Sequence, residues 1–244
     1  MLATFCVRLA LGLLASLFLL SPKQLHPRFF RTHFLTALGL LAVATFAAWP
    51  EAPLWQRTTL VAAAVLALLG ALSWTLDPAP GGRALIALAT IAAAVALWRP
   101  QELRAVVLFA GDLTSAAFLG ASLTAMLIGH SYLISPGMAL TPLMRLLAAL
   151  FLTVFLRAVA SGTGLWFWTV EVGSVTLNDV VILWLPVRWL AGVIAPLAFG
   201  WMAYAAARIR STQSATGILY VVVVCGFLGE LVSLLLTRQT GWPL

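Results

Sequence analysis

The 244-residue chain is 63% hydrophobic and only 9% charged, with a mean hydropathy of +1.06 and a formal net charge of +7. Soluble domains carry about 25% charged residues, and so few charges cannot cover a water-facing surface, which excludes soluble enzymes, nucleic-acid-binding domains and disordered chains. The basic excess, all Arg except Lys23, sits between apolar runs, where it signals membrane topology rather than nucleic-acid binding.

A bilayer core of roughly 30 Å needs about 20 apolar residues per crossing. Hydropathy places eight spans at about 4–21, 33–49, 58–76, 83–98, 106–130, 140–160, 180–207 and 214–236. The first imitates a signal peptide, but Arg8 interrupts its apolar core and Ser21-Pro22-Lys23 offers no small-x-small cleavage site, so it reads as an uncleaved helix. Breakers separate the spans: Ser21-Pro22, Trp49-Pro50-Glu51, Asp77 to Gly82, Arg99-Pro100 and Ser135-Pro136-Gly137. The longest connection, 161–179, holds Trp166-Phe167-Trp168 and reads as an interfacial stretch, a short helix lying flat. The expected fold is all-α: a polytopic integral membrane bundle of about eight transmembrane helices without a soluble domain.

Loop charge sets the expected orientation. Lys23, Arg28, Arg31, Arg83, Arg208 and Arg210 lie on one side. Arg57, Arg99, Arg104 and Arg238 lie on the other, diluted by Glu51, Glu102, Glu171 and Asp179. The positive-inside rule then puts both termini outside the cytoplasm, in a multi-pass protein of the cell inner membrane. Lys23, Arg28 and Arg31, interleaved with Phe29 and Phe30, also suit contact with anionic lipid headgroups.

The single membrane domain, 1–244, divides in character. Residues 1–104 form an apolar scaffold half whose one ionisable residue well inside a span is Arg8; residues 105–244 form the polar half. An intramembrane charge costs about 2.5–3.5 kcal/mol on insertion scales, so Asp112, Arg157, Arg188 and Glu230 require partners. Counting rise along the helices puts these four in one layer with balanced formal charge. They read as Asp112–Arg157 and Arg188–Glu230 pairs, or the swapped set, or as a titrating polar path. Gly111, Gly120 and Gly129 recur every nine residues, so they alternate sides of their helix instead of forming one seam.

A second layer at the other membrane edge holds His130, Tyr132, Arg145 and Gln213. A His, a Tyr and an Arg beside an apolar cleft suit the two carbonyls of a quinone headgroup, or equally a lipid headgroup, and His exchanges protons near neutrality. The rival reading is a His that merely caps a helix. Both cysteines, Cys6 and Cys225, lie in apolar runs without CxxC or CxxCH, and His26, His33 and His130 are too few and too shallow to favour haem or a metal centre. No nucleotide-binding string or catalytic triad stands out, so no catalytic residue is assigned. The strings RWLAG at 188–192, TQSATGILY at 212–220 and Gly229-Glu230 point to no named family.

The leading expectation is a membrane subunit of a respiratory or electron-transfer assembly. It would anchor protein partners that hold the redox centres and offer a quinone-facing site, with no covalently bound cofactor. The alternatives are a small proton-coupled transporter, whose path the four charges line, and a structural or assembly protein without chemistry.

Overall fold

A computed structural model of the chain describes residues 1–76, 78–98, 102–134, 137–172 and 179–244. Asp77, Arg99-Pro100, Ser135-Pro136 and positions 173–178, all expected in connections, lie outside the described residues. The elements are α1 (Leu2–Ser16, ending in a 3₁₀ turn Leu17–Leu19), α2 (Pro27–Ala48), α3 (Leu54–Ser73), α4 (Gly82–Leu97) and α5 (Glu102–Ile134). They continue with α6 (Thr141–Val172), α7 (Asp179–Trp189), a π-helical turn (Leu190–Ile194), α8 (Ala195–Arg208) and α9 (Thr212–Thr240). Helices α7 and α8 join through the π turn into one rod, so the described residues form eight rods. Seven are long and apolar enough to cross a membrane; α4 is a shorter apolar helix. No strand occurs among the described residues. Large apolar side chains such as Phe46, Leu152, Phe155, Leu183 and Val224 face outward along the rods, the surface of a multi-pass membrane protein in lipid.

Local sequence explains the helix ends. Pro27 occupies the first turn of α2, where its missing N–H costs nothing, and His26 caps that helix by accepting from the Arg28 N–H at 3.1 Å. The backbone reverses before α4 at Gly81, φ +66°, and after α9 at Gly241, φ +73°, both left-handed positions that favour glycine. Beyond Gly241 the chain turns back into the bundle, where Trp242 stacks on Phe167 with centroids 5.1 Å apart. Side chains at Gly111 and Gly164 would collide with Pro243, so both glycines make room for this returning segment.

That return bears on one expectation that fails. The stretch from 161 to Val172 is no flat interfacial segment: it continues α6, which runs 32 residues. It contains no proline, and Gly164 serves the approach of Pro243 rather than breaking the helix. Trp166 stays exposed while Trp168 is buried in a cluster with Val232, Leu236 and Trp242. At 1.5 Å per residue a helix this long exceeds the hydrocarbon core, so its aromatic end lies near the membrane edge.

Helix α1 is the most enclosed element, with every residue from Cys6 to Leu14 buried. It meets α5 closely because Gly12 lies against Ala116 and Gly120, where any Cβ would strike backbone. Gly111 and Gly129 face other neighbours, Pro243 and Thr216, as a nine-residue repeat on a 100° helix requires. Met1, the α2–α3 connection, the start of α5 and the end of α9 share one end of the bundle, here the terminal face. The α1–α2 connection and the end of α5 lie at the opposite, distal face.

Candidate functional site

Two polar regions occupy this bundle. The first, toward the terminal face, is a buried ion network centred on Glu230 of α9, fully enclosed like Arg157 and Arg188. Glu230 Oε1 accepts from Arg157 Nε at 2.8 Å and from Arg188 Nη2 at 3.4 Å. Its Oε2 accepts from the Ser115 hydroxyl at 2.5 Å and from Arg157 Nη2 at 3.3 Å, with Arg8 Nη1 at 3.5 Å. Arg8 donates to Asp112 Oδ1 through Nε at 2.8 Å and Nη2 at 2.5 Å, and through Nη1 to Ser115 at 3.3 Å. The Ser161 hydroxyl accepts from both Arg157 Nη1 and Arg188 Nη2 at 3.0 Å. Ser233 accepts from Arg157 Nη2 at 2.6 Å and donates to the Leu244 main-chain oxygen, which also accepts from Arg188 Nε at 3.2 Å.

The four expected charges thus meet in one cluster, and each expected set of pairs holds by half: Glu230 pairs with both Arg157 and Arg188, while Asp112 pairs with neither. Asp112 pairs with Arg8, which the sequence reading left in the scaffold half, and Glu230 serves three guanidinium groups instead of one. The two arginines and two carboxylates expected in this layer are joined by a third guanidinium, that of Arg8, and by the Leu244 main-chain oxygen. The reason is topological: α1 packs on α5, bringing Arg8 to the depth of Asp112. Charge desolvation on this scale calls for close geometry and further hydrogen bonds, which Ser115, Ser161 and Ser233 contribute. Ser115, Ser161 and Ser233 were not anticipated, yet each lies three or four residues beyond a charged residue, Asp112, Arg157 and Glu230. That spacing puts each pair on one helix face, a signal the sequence contains.

The string RWLAG also finds its purpose here. The π turn follows Arg188 directly, and Gly192 sits against Gly229, where a Cβ on either would collide. This contact lets α7 approach α9 closely enough for Arg188 to reach Glu230. Arg188 Nη1 lies over Gly192 and has no hydrogen-bond partner among the described residues.

The second region, at the distal face, is a pocket of about 440 Å³ lined by all three histidines, His26, His33 and His130. Arg28, Thr32 and Ser131 add polar groups; Phe29, Leu127, Ile134 and Met138 give an apolar wall. The histidines differ in their freedom. His33 is buried, its Nδ1 3.0 Å from the Phe29 carbonyl and its Nε2 3.2 Å from Thr124 Oγ1. A carbonyl only accepts, so Nδ1 carries the proton and Thr124 donates to Nε2; both ring nitrogens are committed. In neutral His26, Nδ1 accepts the cap bond, so the proton sits on Nε2. His130 is exposed on the last turns of α5.

Of the four residues expected at this site, only His130 lines the pocket. Tyr132 is buried and donates to the Ala139 carbonyl at 2.5 Å, bracing the α5–α6 turn. Arg145 and Gln213 are exposed in the first turns of α6 and α9. His26 and His33 take their place. The expected helix cap also exists, but on His26 rather than His130. Lys23 lies in the exposed α1–α2 connection and Arg31 is exposed on the first turns of α2, while Arg28 reaches the pocket mouth.

Together these features define a class: a multi-pass helical membrane protein, with a buried ion network near one face and a histidine pocket at the other. Comparison with protein-family models, with curated proteins and with solved structures finds no match to this chain.

Proposed function

We propose that the chain is a membrane subunit of an electron-transfer assembly and that its distal pocket receives a quinone headgroup. The observation that supports this reading is the meeting of His130 and of His26, whose Nε2 remains available beyond its cap bond, with an apolar wall in one pocket. A quinone has two carbonyl oxygens, and each accepts one N–H. Reduction to the quinol takes two electrons and two protons, and imidazoles exchange protons near neutral pH. His33 plays a different part: bonded at both nitrogens, it fixes the Phe29 turn that walls the pocket. In this reading the electrons come from protein partners at the membrane surface.

Orientation belongs to the same proposal. The distal face carries Lys23, Arg28, Arg31, Arg83, Arg208 and Arg210 in its connections, so it faces the cytoplasm of a cytoplasmic membrane, with both termini outside. Cysteines introduced at Gln24 and Gly81 should react with an impermeant thiol reagent only from the cytoplasmic side; labelling from outside would reverse the orientation.

The test of function is the quinone content and optical spectrum of the purified protein, together with quinol-dependent turnover of its native assembly. His130→Ala should abolish both quinone retention and turnover. His26→Asp separates donor from cap, because a carboxylate still accepts the Arg28 N–H but offers no N–H to a carbonyl. It should lose quinone while keeping the α2 start intact. Full retention of quinone in both variants would remove the proposal.

A further inference from the structure

Beyond α9 the chain reverses at Gly241, φ +73°, and Trp242, Pro243 and Leu244 run inward along a groove between α5, α6, α7 and α9. The two ends of this segment are held differently. At the inner end the Leu244 main-chain oxygen accepts from the Ser233 hydroxyl and from Arg188 Nε, and Leu244 is only 1% exposed. At the outer end Arg104 donates to the Thr240 and Gly241 carbonyls at 3.0 and 2.9 Å and lies 4.8 Å from the Trp242 ring centre. Glu171 Oε2 accepts from Trp242 Nε1 at 2.6 Å and stands 3.8 Å from Arg104 Nη2. The Arg104 and Glu171 side chains are 39% and 54% exposed, so solvent and salt screen this outer clasp. The inner partners, Arg188 and Ser233, are fully buried. Arg104 and Gly241 also line a cavity of about 730 Å³ that opens at the terminal face.

We infer that residues 241–244 are a strap, hinged at Gly241 and fastened by the Arg104–Glu171–Trp242 clasp, whose lifting admits water from the terminal face to the Arg188–Ser233 side of the ion network. Gly241 suits a hinge because its left-handed backbone is open to few other residues, and a Cβ there would strike the Arg104 guanidinium. The groove does not close behind the strap by itself. Gly111 and Gly164 leave the space that Pro243 fills, so lifting the segment leaves a gap between rods that already pack elsewhere. Lifting also takes away the oxygen that Ser233 and Arg188 Nε share. Two buried donors then need a new acceptor, and entering water is one. Local openings of this kind draw on segments whose fixings are partly solvent-exposed, and the outer clasp meets that condition. The strap lies on the face opposite the histidine pocket and does not depend on the quinone reading.

Leu236 of α9 is fully buried and packs in one cluster with Trp242 and Leu244, whereas Leu41 of α2 is equally buried away from the strap. The full chain with Cys6→Ala and Cys225→Ala would carry Leu236→Cys or Leu41→Cys in nanodiscs, and reaction with a water-soluble methanethiosulfonate would be timed. Val232→Cys, from the same cluster as Leu236, is a second reporter should Leu236→Cys fail to fold. Glu171→Gln takes the charge from the clasp but keeps an oxygen for Trp242, and should speed the strap reporter about threefold. Gly164→Ala wedges Pro243 outward while deleting no side chain, and should speed it about tenfold. Leu41→Cys should stay slow in both backgrounds. Unchanged rates at the strap reporters in both variants would overturn the inference. So would equal acceleration of Leu41→Cys, because the opening would then be that of the whole bundle.

Discussion

The ion network and the histidine pocket are built from similar numbers of polar side chains and behave as opposites. In the network every member is buried and bonded, and the members come from five helices, so the bonds tie the rods together. In the pocket only His33 is buried and bonded at both nitrogens, while His26 keeps Nε2 and His130 its ring nitrogens for other partners. Polar groups bonded to one another across rods hold a fold together; those left beside an apolar wall are available to a ligand. The difference also sets the energy scale of perturbation, because a vacated polar group near the membrane edge is re-solvated and one inside the bundle is not.

Substitutions can break this comparison, and the largest effect belongs to the network hub. Glu230→Gln should lower unfolding free energy in detergent by about 3–5 kcal/mol, the usual loss when a buried pair loses one partner. Adding Arg188→Met should recover part of that loss, measured as a double-mutant cycle; strictly additive losses would show that the two side chains are not coupled. A step smaller is the contact that brings Arg8 to its partner. Gly12→Ala should cost about 1–3 kcal/mol, because its Cβ meets the α5 backbone. Gly39→Ala, with nothing near its Cβ, should instead gain up to about 1 kcal/mol from helix propensity. Equal responses at the two glycines would count against the close approach of α1 and α5. At the distal pocket, His33→Ala should cost about 1 kcal/mol for its lost hydrogen bonds. His130→Ala, last in order, should change stability by less than about 0.5 kcal/mol while removing quinone. A larger stability loss at His130 than at His33 would invert the assignment of ligand group and positioning group.

Much of the architecture was legible because hydropathy depends only on local composition. The eight rods of the described residues stand within about four residues of their expected bounds, except that α2 begins six residues earlier and α6 runs twelve further. The α6 extension was hidden because Trp166-Phe167-Trp168 has interfacial composition whether it lies flat or continues a helix, and only the returning Trp242 and Pro243 decide between them. The network was half legible: depth counting brought Asp112, Arg157, Arg188 and Glu230 together, since rise per residue is fixed. Pairing was legible for Glu230, which meets both candidate arginines, but not for Asp112, whose partner depends on which rods touch and comes from the other half of the chain. The pocket was least legible. Sequence proximity across the α5–α6 turn suggested Tyr132 and Arg145 as companions of His130, whereas α2, which meets α5 through the His33–Thr124 contact, supplies His26 and His33 from about a hundred residues away.

The quinone reading rests on one place in the fold, and photoaffinity labelling addresses that place directly. The intact protein in nanodiscs would be irradiated with an azido-quinone and digested, and the labelled peptides mapped. The account predicts label on the segments around residues 25–33 and 127–138, competed by unmodified quinone and lost in His130→Ala. Competable label confined to the terminal face, or no competable label at all, would contradict it.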